Sequence, residues 1–446
     1  MVEQRYYERV KKPEDYSVAK AKQAEGKHPQ LDKLKKEFYH CSRCGSCRDV
    51  VITAKLGEWP FFDPKLVPWL GPRERYEACP NYVQMRWDHF APRGRMQILK
   101  ALVEGWIDLS SALAENVYTC VDCGICETVC KASEATFGDP IPITTIMRAW
   151  REEIIETNPA LLPPEIRDFL DNTHTYSNPW GKAKAERGEW ADGTNIPKYK
   201  SGDEYLYYVG CEGSYDTRAQ KAARALGECF LNAGISFGIL GADESCDGGT
   251  VYRMGETGLF ELLAEENMGK FKKLGVKRVV TLSPHSYDGF KNYYPVEKKE
   301  FEVISHPQLL VELIEKGELK PTKAVKARVT YSDSCFLGRY NKIYEEPRNV
   351  LRAIPGVELV EMKRNKEISY CCGGGAGNFA TGIVDRIDGV NRPDRFRVRE
   401  ARDSGASILV VSCPGCLMRL SDAVKVEGLE GELEVREISE ILRDSL

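Results

Sequence analysis

From residue 201 onward the chain alternates between two apolar rhythms. EYLYYVG (204–210), ISFGILG (235–241) and KRVVTLSP (277–284) are short apolar runs that read as strands. Between them, DTRAQKAARALGECFLNAG (216–234) and GLFELLAEENMGKFKKLG (258–275) place apolar residues at helical spacing. The first of these ends on a glycine suited to a helix C-cap. After about residue 325 the order recurs. ARVTYSDS, VELVEM and SILVVSCP read as strands, with EEPRNVLRAIPG and DRFRVREARDSG as the helices between them and a further helix at the end. Strands alternating with helices predict a parallel α/β arrangement.

The recurrence is an internal repeat of about 120 residues. Cys211 ends the first strand of one half, and Cys335 follows the first strand of the other. Cys246 in ESCDGG aligns with Cys371 in SYCCGG, and VVTLSPHS aligns with ILVVSCPGC, so that Ser283 and Ser286 fall on Cys413 and Cys416. Upstream, residues 1–35 are rich in Lys and Glu and read as a helix or arm. Residues 36–155 carry eight cysteines and helical stretches such as RMQILKALVEGWIDLSSALAEN. Residues 156–200 mix proline, glycine and charge, which predicts a linker over the surface. The expected organisation is therefore an α+β multidomain chain: an arm (1–35), a helical cysteine-rich module (36–155), a linker (156–200) and two tandem α/β domains (201–325 and 326–446).

Composition narrows the function. With 42% hydrophobic and 29% charged residues the chain is globular, and its net charge of −4 gives no electrostatic case for nucleic acid or an anionic membrane. No apolar run approaches the ~18 residues of a spanning helix. The start, MVEQRYYERVKK, shows no apolar core of a signal peptide. The expected location is the cytoplasm, with any membrane association through a partner. Sixteen cysteines in such a chain point to metal-binding thiolates rather than disulfides.

Cys41, Cys44 and Cys47 stand three residues apart, followed by the dipeptide Cys79-Pro80. Cys120, Cys123 and Cys126 repeat the spacing, and Cys130 follows. Three thiolates at that spacing wrap one face of a cluster, and the fourth must come from elsewhere. Zinc sites pair two C-x2-C knuckles instead, and the C-x3-C-x2-C of a radical SAM site does not occur. The runs resemble those of two-cluster bacterial ferredoxins, in which the fourth cysteine of each run ligates the other cluster. That resemblance implies one cubane [4Fe–4S] cluster on Cys41, Cys44, Cys47 and Cys130, and another on Cys120, Cys123, Cys126 and Cys79. The sequence departs from the pattern in two places: Cys79 lies beyond an inserted loop, and Lys131, not proline, follows Cys130.

The second half offers Cys335, the adjacent pair Cys371-Cys372, and Cys413-x2-Cys416. Predicted strand ends place all three groups at one edge of the sheet, where open α/β folds carry their chemistry. Gly373, Gly374, Gly375 and Gly377 let backbone approach a bulky inorganic body, and their amides can donate to sulfur. Five thiolates exceed the four that zinc takes and the four of a cubane, which suits an iron–sulfur cluster of unusual shape. No Lys-Ser/Thr follows GGGAG, as a P-loop requires. The segments YSDSCFLGRYN, YCCGGGAGN and VVSCPGCLMRLSDA resemble the cysteine-rich CCG domain. A two-cluster ferredoxin module followed by two CCG domains is similar to the D subunit of heterodisulfide reductase. It is similar too to the corresponding subunits of sulfite-reduction, class II benzoyl-CoA reductase, and glycolate or glycerol-3-phosphate oxidation systems. This resemblance implies a noncubane [4Fe–4S] cluster on Cys335, Cys371, Cys372, Cys413 and Cys416.

The first half is degenerate. It keeps Cys211 and Cys246, but Asp247 replaces the second cysteine of the pair, and Ser283 and Ser286 replace the last two, with His285 between them. Two thiolates do not hold a four-iron cluster of the family kind. The expectation is no cluster there, with a single zinc or iron on Cys211, Cys246, His285 or Asp247 as the alternative, the donor types suiting zinc. Cys229 lies in a helical pattern and reads as core. Arg93 and Arg95 read as surface charges, His89 and His306 as structural, and Trp59, Trp69, Trp87 and Trp106 as shielding for the cubanes. The resemblance implies an iron–sulfur electron-transfer subunit that relays electrons through the cubanes to the noncubane cluster. Its expected partners are a flavoprotein, a ferredoxin-like protein or a membrane cytochrome subunit. The alternatives are a stand-alone thiol–disulfide reductase acting at the noncubane cluster, or the iron–sulfur subunit of a glycolate or glycerol-3-phosphate-type dehydrogenase.

Overall fold

The computed structural model describes residues 26–41, 43, 45–51, 75–130, 140–387 and 389–446. Cys44, Trp59, Trp69 and most of the N-terminal arm lie outside the described residues. The chain forms two units. One runs to Cys120 and includes Ile125–Pro163; the other takes Val121–Gly124 and Pro164–Leu446.

The described part of the first unit is helical apart from an antiparallel ribbon of β1 (Asp49–Val51) and β2 (Arg75–Glu77). Its helices start for local reasons. Pro80 opens Pro80–Met85 and Pro92 opens Pro92–Val103, at the position where a missing N–H leaves nothing unsatisfied. The Ser110 side chain accepts the Leu113 N–H and so caps Ser111–Tyr118. The helix Ile143–Thr157 buries Ile143, Ile146, Met147, Trp150 and Ile154, an apolar stripe at the helical repeat.

The second unit holds two four-stranded parallel sheets. The first has the order β4 (Phe237–Gly238), β3 (Tyr205–Tyr208), β5 (Arg278–Thr281), β6 (Glu302–Ser305). The second has the order β8 (Val357–Leu359), β7 (Ala327–Tyr331), β9 (Ile408–Val411), β10 (Glu434–Glu437). The two orders are the same, so the repeat read from the sequence is a repeat of topology. β3 and β9 are buried along their whole length, as a sheet covered on both faces requires. The helix Thr217–Ala233 begins where Asp216 accepts the Arg218 and Ala219 N–H groups, and it ends at Gly234 in the left-handed region (φ 70°).

One apolar core joins the halves of this unit. It combines Tyr207, Val209 and Val280 of the first half with Val329, Tyr331 and Val410 of the second. The helices cross over as well. Thr217–Ala233 packs on the final helix Ile438–Asp444, and His306–Glu315 packs on Glu345–Ala353. His306 is buried between the Thr281 carbonyl (3.1 Å) and Glu437 (2.9 Å), which ties the halves together.

The segment 156–200, expected as a surface linker, contains the helix Pro164–Tyr176 and a 3-10 stretch at Lys184–Ala191. Arg187 and Trp190 from this stretch are buried, and Trp190 and Ile196 belong to the core. Its proline, glycine and charge content hid these few inward-facing residues.

Candidate metal centres

In the first unit, Cys41, Cys47 and Cys130 line one small pocket with Pro92, Met96, Ile141 and Ile143. Three residues from the two cysteine runs therefore meet in an apolar pocket. Gly45 sits at φ 85° beside it, and a Cβ there would lie 3.2 Å from Arg93 Nη1. Cys79 is buried and precedes the helix that Pro80 opens. Cys120 follows Ser111–Tyr118, and Cys126 lies in the short helix Ile125–Thr128. Cys123 is buried and belongs to the second unit.

Two readings of this region change. Arg93 is half-buried and ion-paired with Asp88 (2.7 Å), but Arg95 is no surface charge. It is buried, with its Nη2 donating to the Asn116 carbonyl (2.8 Å) and to Thr119 Oγ1 (2.9 Å). Arg95 follows the opening turn of Pro92–Val103, and helical spacing turns it inward with Met96 and Leu99. Trp87 and Trp106 are 67% and 44% exposed and shield nothing. Among the described residues of this unit, the buried tryptophan is Trp150.

In the second unit, Cys335, Cys371, Cys372, Cys413 and Cys416 are all buried. β7 and β9 are neighbours with Tyr331 beside Val410, and Cys335 and Cys413 stand just past their C-terminal ends. Cys413 is the N-cap of Pro414–Val426, and Cys416 lies in that helix's first turn. Cys416 Sγ donates to Cys372 Sγ (3.2 Å between sulfurs), and electrostatic coupling links Cys335 with Cys371, Cys371 with Cys372, and Cys416 with Cys413. Hydrogen bonds from Cys371 and Cys416 hold the Cys372 thiol well below its ordinary range. The bond from Cys416 brings Cys413 down to about 7 against the opposing effect of burial. Cys335 and Cys416 move the other way: their neighbouring sulfurs and burial push their thiols well up. Two of the sulfurs thus lean to thiolate, the form that binds metal, at the expense of two that keep their protons.

The glycines shape the cradle. The Gly373 N–H donates to Cys371 Sγ (3.3 Å), and Gly373 adopts φ 82°. A Cβ on Gly375 would meet the Val121 carbonyl oxygen at 2.1 Å, so no side chain fits. Arg419 donates to the Cys372 carbonyl (3.0 Å) and is neutralised by Asp385 and Asp394. Arg339 donates to the carbonyls of Ser369 and Cys123 (both 2.6 Å). The first half reaches this site too. A Cβ on Gly415 would lie 3.7 Å from His285 Cε1, 3.8 Å from Glu212 Oε1 and 3.8 Å from Cys413 Sγ. Burial opposes the protonation of His285, but the facing Cys413 and Glu212 outweigh it and push the imidazole up to about 9.

The equivalent place in the first half is filled by protein. Cys211 and Cys246 are hydrogen-bonded to each other. The buried guanidinium of Arg187 lies 3.6 Å from Cys211 Sγ through both Nη1 and Nη2, and it pairs with Glu244 (2.9 Å). Asp247 accepts from Ser286 Oγ (2.8 Å) and the Gly249 N–H (2.7 Å), while Ser283 caps Pro284–Asn292. The residues that replaced cysteines satisfy one another. Among the described residues, no three His, Cys, Asp or Glu side chains are grouped to hold a single metal ion, in either half. A cluster of several irons asks for less convergence, because each thiolate can meet a different iron. The donor chemistry, the glycine cradle and the buried cation beside the five thiols fit such a cluster in the second half. In the first half two thiols and a salt bridge do not. Cys229 is core, its thiol directed to the Ser439 carbonyl.

Sequence reasoning missed Arg187, Arg339, Arg419 and Glu212. Three of these left a local signal: Arg339 stands one turn past Cys335 in CFLGRYN, Arg419 one turn past Cys416 in CPGCLMRL, and Glu212 adjoins Cys211.

The model of the cysteine-rich CCG domain matches residues 205–287 and 329–421, one match in each half. The chain is 36% identical over 341 residues to a probable iron-sulfur-binding oxidoreductase, FadF, of Bacillus subtilis, covering 74% of this chain and 47% of that protein. It is 30% identical to an EtfAB:quinone oxidoreductase of Syntrophomonas wolfei, covering 90% of this chain and 57% of the relative. The chain thus spans about half the length of these two relatives. Against the D subunit of dihydromethanophenazine:CoB–CoM heterodisulfide reductase of Methanosarcina barkeri it is 30% identical over 424 residues, 92% of this chain and 94% of that one. Among the described residues no helix is long and apolar enough to cross a membrane. The chain belongs to the family of iron–sulfur oxidoreductases typified by the D subunit of heterodisulfide reductase.

Proposed function

We propose that this protein is an electron-transfer subunit carrying two cubane [4Fe–4S] clusters and one noncubane [4Fe–4S] cluster, relaying electrons between redox partners. Cys41, Cys44, Cys47 and Cys130 would hold one cubane, and Cys120, Cys123, Cys126 and Cys79 the other, in a ferredoxin-like module. Cys335, Cys371, Cys372, Cys413 and Cys416 would hold the noncubane cluster. When bound, such clusters supply one-electron storage and transfer. The chain's own residues supply the rest: thiolates as ligands, amides that donate to sulfur, and apolar walls that keep water out. The observation that carries this reading is the contrast between the halves. Five buried, mutually coupled cysteines gather in one, with Cys416 bonded to Cys372, while Arg187 fills the other. The names of the relatives favour a flavoprotein donor and a quinone- or disulfide-linked acceptor, with any membrane contact made through a partner. A zinc ion in the first half is not favoured, since Arg187 lies against Cys211, Asp247 is engaged by Ser286 and Gly249, and among the described residues no three donors converge there.

Anaerobically purified protein should contain about 12 iron and about 12 acid-labile sulfide atoms per chain. Cys372→Ala should lower both counts by about four and abolish one EPR signal while leaving the others. A protein with tightly bound zinc and no sulfide would end this reading.

A further inference from the structure

The buried arginines of the second unit are matched by carboxylates. Arg187 pairs with Glu244, Arg253 with Asp122 and Asp288, Arg348 with Asp333 and Glu361, and Arg419 with Asp385 and Asp394. Arg339 differs. It is 7% exposed, and among the described residues no carboxylate forms a salt bridge with it. Its Nε and Nη1 are spent on the Cys123 and Ser369 carbonyls. Its Nη2 is buried and has no hydrogen-bond partner. A buried cation without a counter-charge is strongly destabilising, and so is an unsatisfied buried donor. The groups whose negative charge acts on Arg339 are Cys123 first, then Cys335, Cys371 and Tyr344. Cys335 and Cys371 belong to the second-half site, with Arg339 one turn past Cys335 and bonded to the Ser369 carbonyl two residues before Cys371, whereas Cys123 is assigned above to a cubane.

Each of these gaps has the same remedy. Metal binding removes the thiol protons, and cysteine-ligated iron–sulfur clusters carry net negative charge that hydrogen bonds and nearby charges tune. We propose that Arg339 is the built-in counter-cation of the cluster held by the second-half cysteines, and that its unpartnered Nη2 N–H donates to a sulfur of that cluster and raises its reduction potential. This rests on the assignment of that cluster given above. Arg339 is a positioning residue: it neither gives nor takes a proton, and no bond at it forms or breaks. An electron delivered by a one-electron carrier adds one negative charge beside a fixed positive one, which favours the reduced state. The carbonyls of Cys123 and Ser369 lock the guanidinium plane, so this effect needs no rearrangement.

The test uses the full chain, purified anaerobically, as wild type, R339Q and R339K, with iron content and an EPR-monitored redox titration as readouts. The signal followed is the one that Cys372→Ala abolishes. R339Q, with full iron content, should shift the reduction equilibrium at least tenfold toward the oxidised state, a drop of about 59 mV for one electron. R339K keeps the charge but not the fork, and should recover most of that drop. An unchanged midpoint in fully loaded R339Q overturns the proposal. If R339Q fails to hold iron, R339K decides: iron retained with a midpoint near wild type supports the counter-cation role, and iron lost from both variants overturns it in favour of a packing role. Absence of any Cys372-dependent signal in the wild type would instead refute the cluster assignment itself.

Discussion

At the scale of single residues, the two halves of the second unit show what replaces a metal site. Asp247 and Ser286 stand where the intact half has Cys372 and Cys416, and they bond to each other (2.8 Å). Arg187 brings its charge against Cys211, and Glu244 balances it while also accepting the Val209 and Gly210 N–H groups (both 3.0 Å). Breaking one partner out of a buried ion pair typically costs 3–5 kcal/mol, and the backbone donors to Glu244 offset part of that. Arg187→Met should therefore destabilise the protein by about 3 kcal/mol in anaerobic denaturant titrations, with no loss of iron. A loss of about four irons in this variant would mean that the first half holds a cluster after all. Arg187 does not stand out in the sequence, because what makes an arginine unusual is the absence of water around it.

At the scale of elements, the parallel sheets explain why the cysteines converge. Strands in register end together, so the loops after β7, β8 and β9 open on the same edge. Alternating apolar runs made the inner strands legible. The outer strands β6 and β10 went unread because each mixes charge with apolar residues and is only partly buried. β4 is shorter than ISFGILG suggested. Beyond Gly238 the chain pairs instead with the segment read as linker, through a bridge between Lys198 and Ile239. A Cβ on Gly238 would lie 2.3 Å from the Tyr199 backbone nitrogen, which cannot swing away. A Cβ on Gly227 would meet Ile196 Cδ1 (2.3 Å) and Cγ1 (2.8 Å), a side chain and not backbone, within a helix where alanine is preferred. Gly238→Ala should thus lower stability by about 2 kcal/mol and Gly227→Ala by much less, as urea midpoints would show. Equal effects would mean that the β4 edge is not packed as described.

At the scale of the whole molecule, each half of the second unit depends on the other. The final helix buries Ile438, Ile441 and Leu442 in the common core and packs against the first long helix of the other half. Each such side chain is worth about 1.5–3 kcal/mol of burial. Residues 326–446 produced alone should therefore lack a cooperative unfolding transition, although they contain every cysteine of the proposed noncubane site. A sharp transition with well-dispersed NMR signals from that fragment would contradict this. The shared core also gives the degenerate half a reason to persist: it supplies packing, and it sets His285 and Glu212 against the Gly415 turn.

Cysteine spacing and the recurring strand–helix rhythm were enough to read the repeat, the parallel sheets and the family, because ligand spacing and apolar periodicity are local properties of the chain. Cys335, Cys371, Cys372, Cys413 and Cys416 could be named as one group before any fold was known. The burial of Arg95, Arg187 and Arg339, the inward turn of Trp190, and the pairing of one half's helices with the other's arose only in three dimensions. Charge balance and desolvation depend on neighbours far apart in the chain, and no local pattern encodes them.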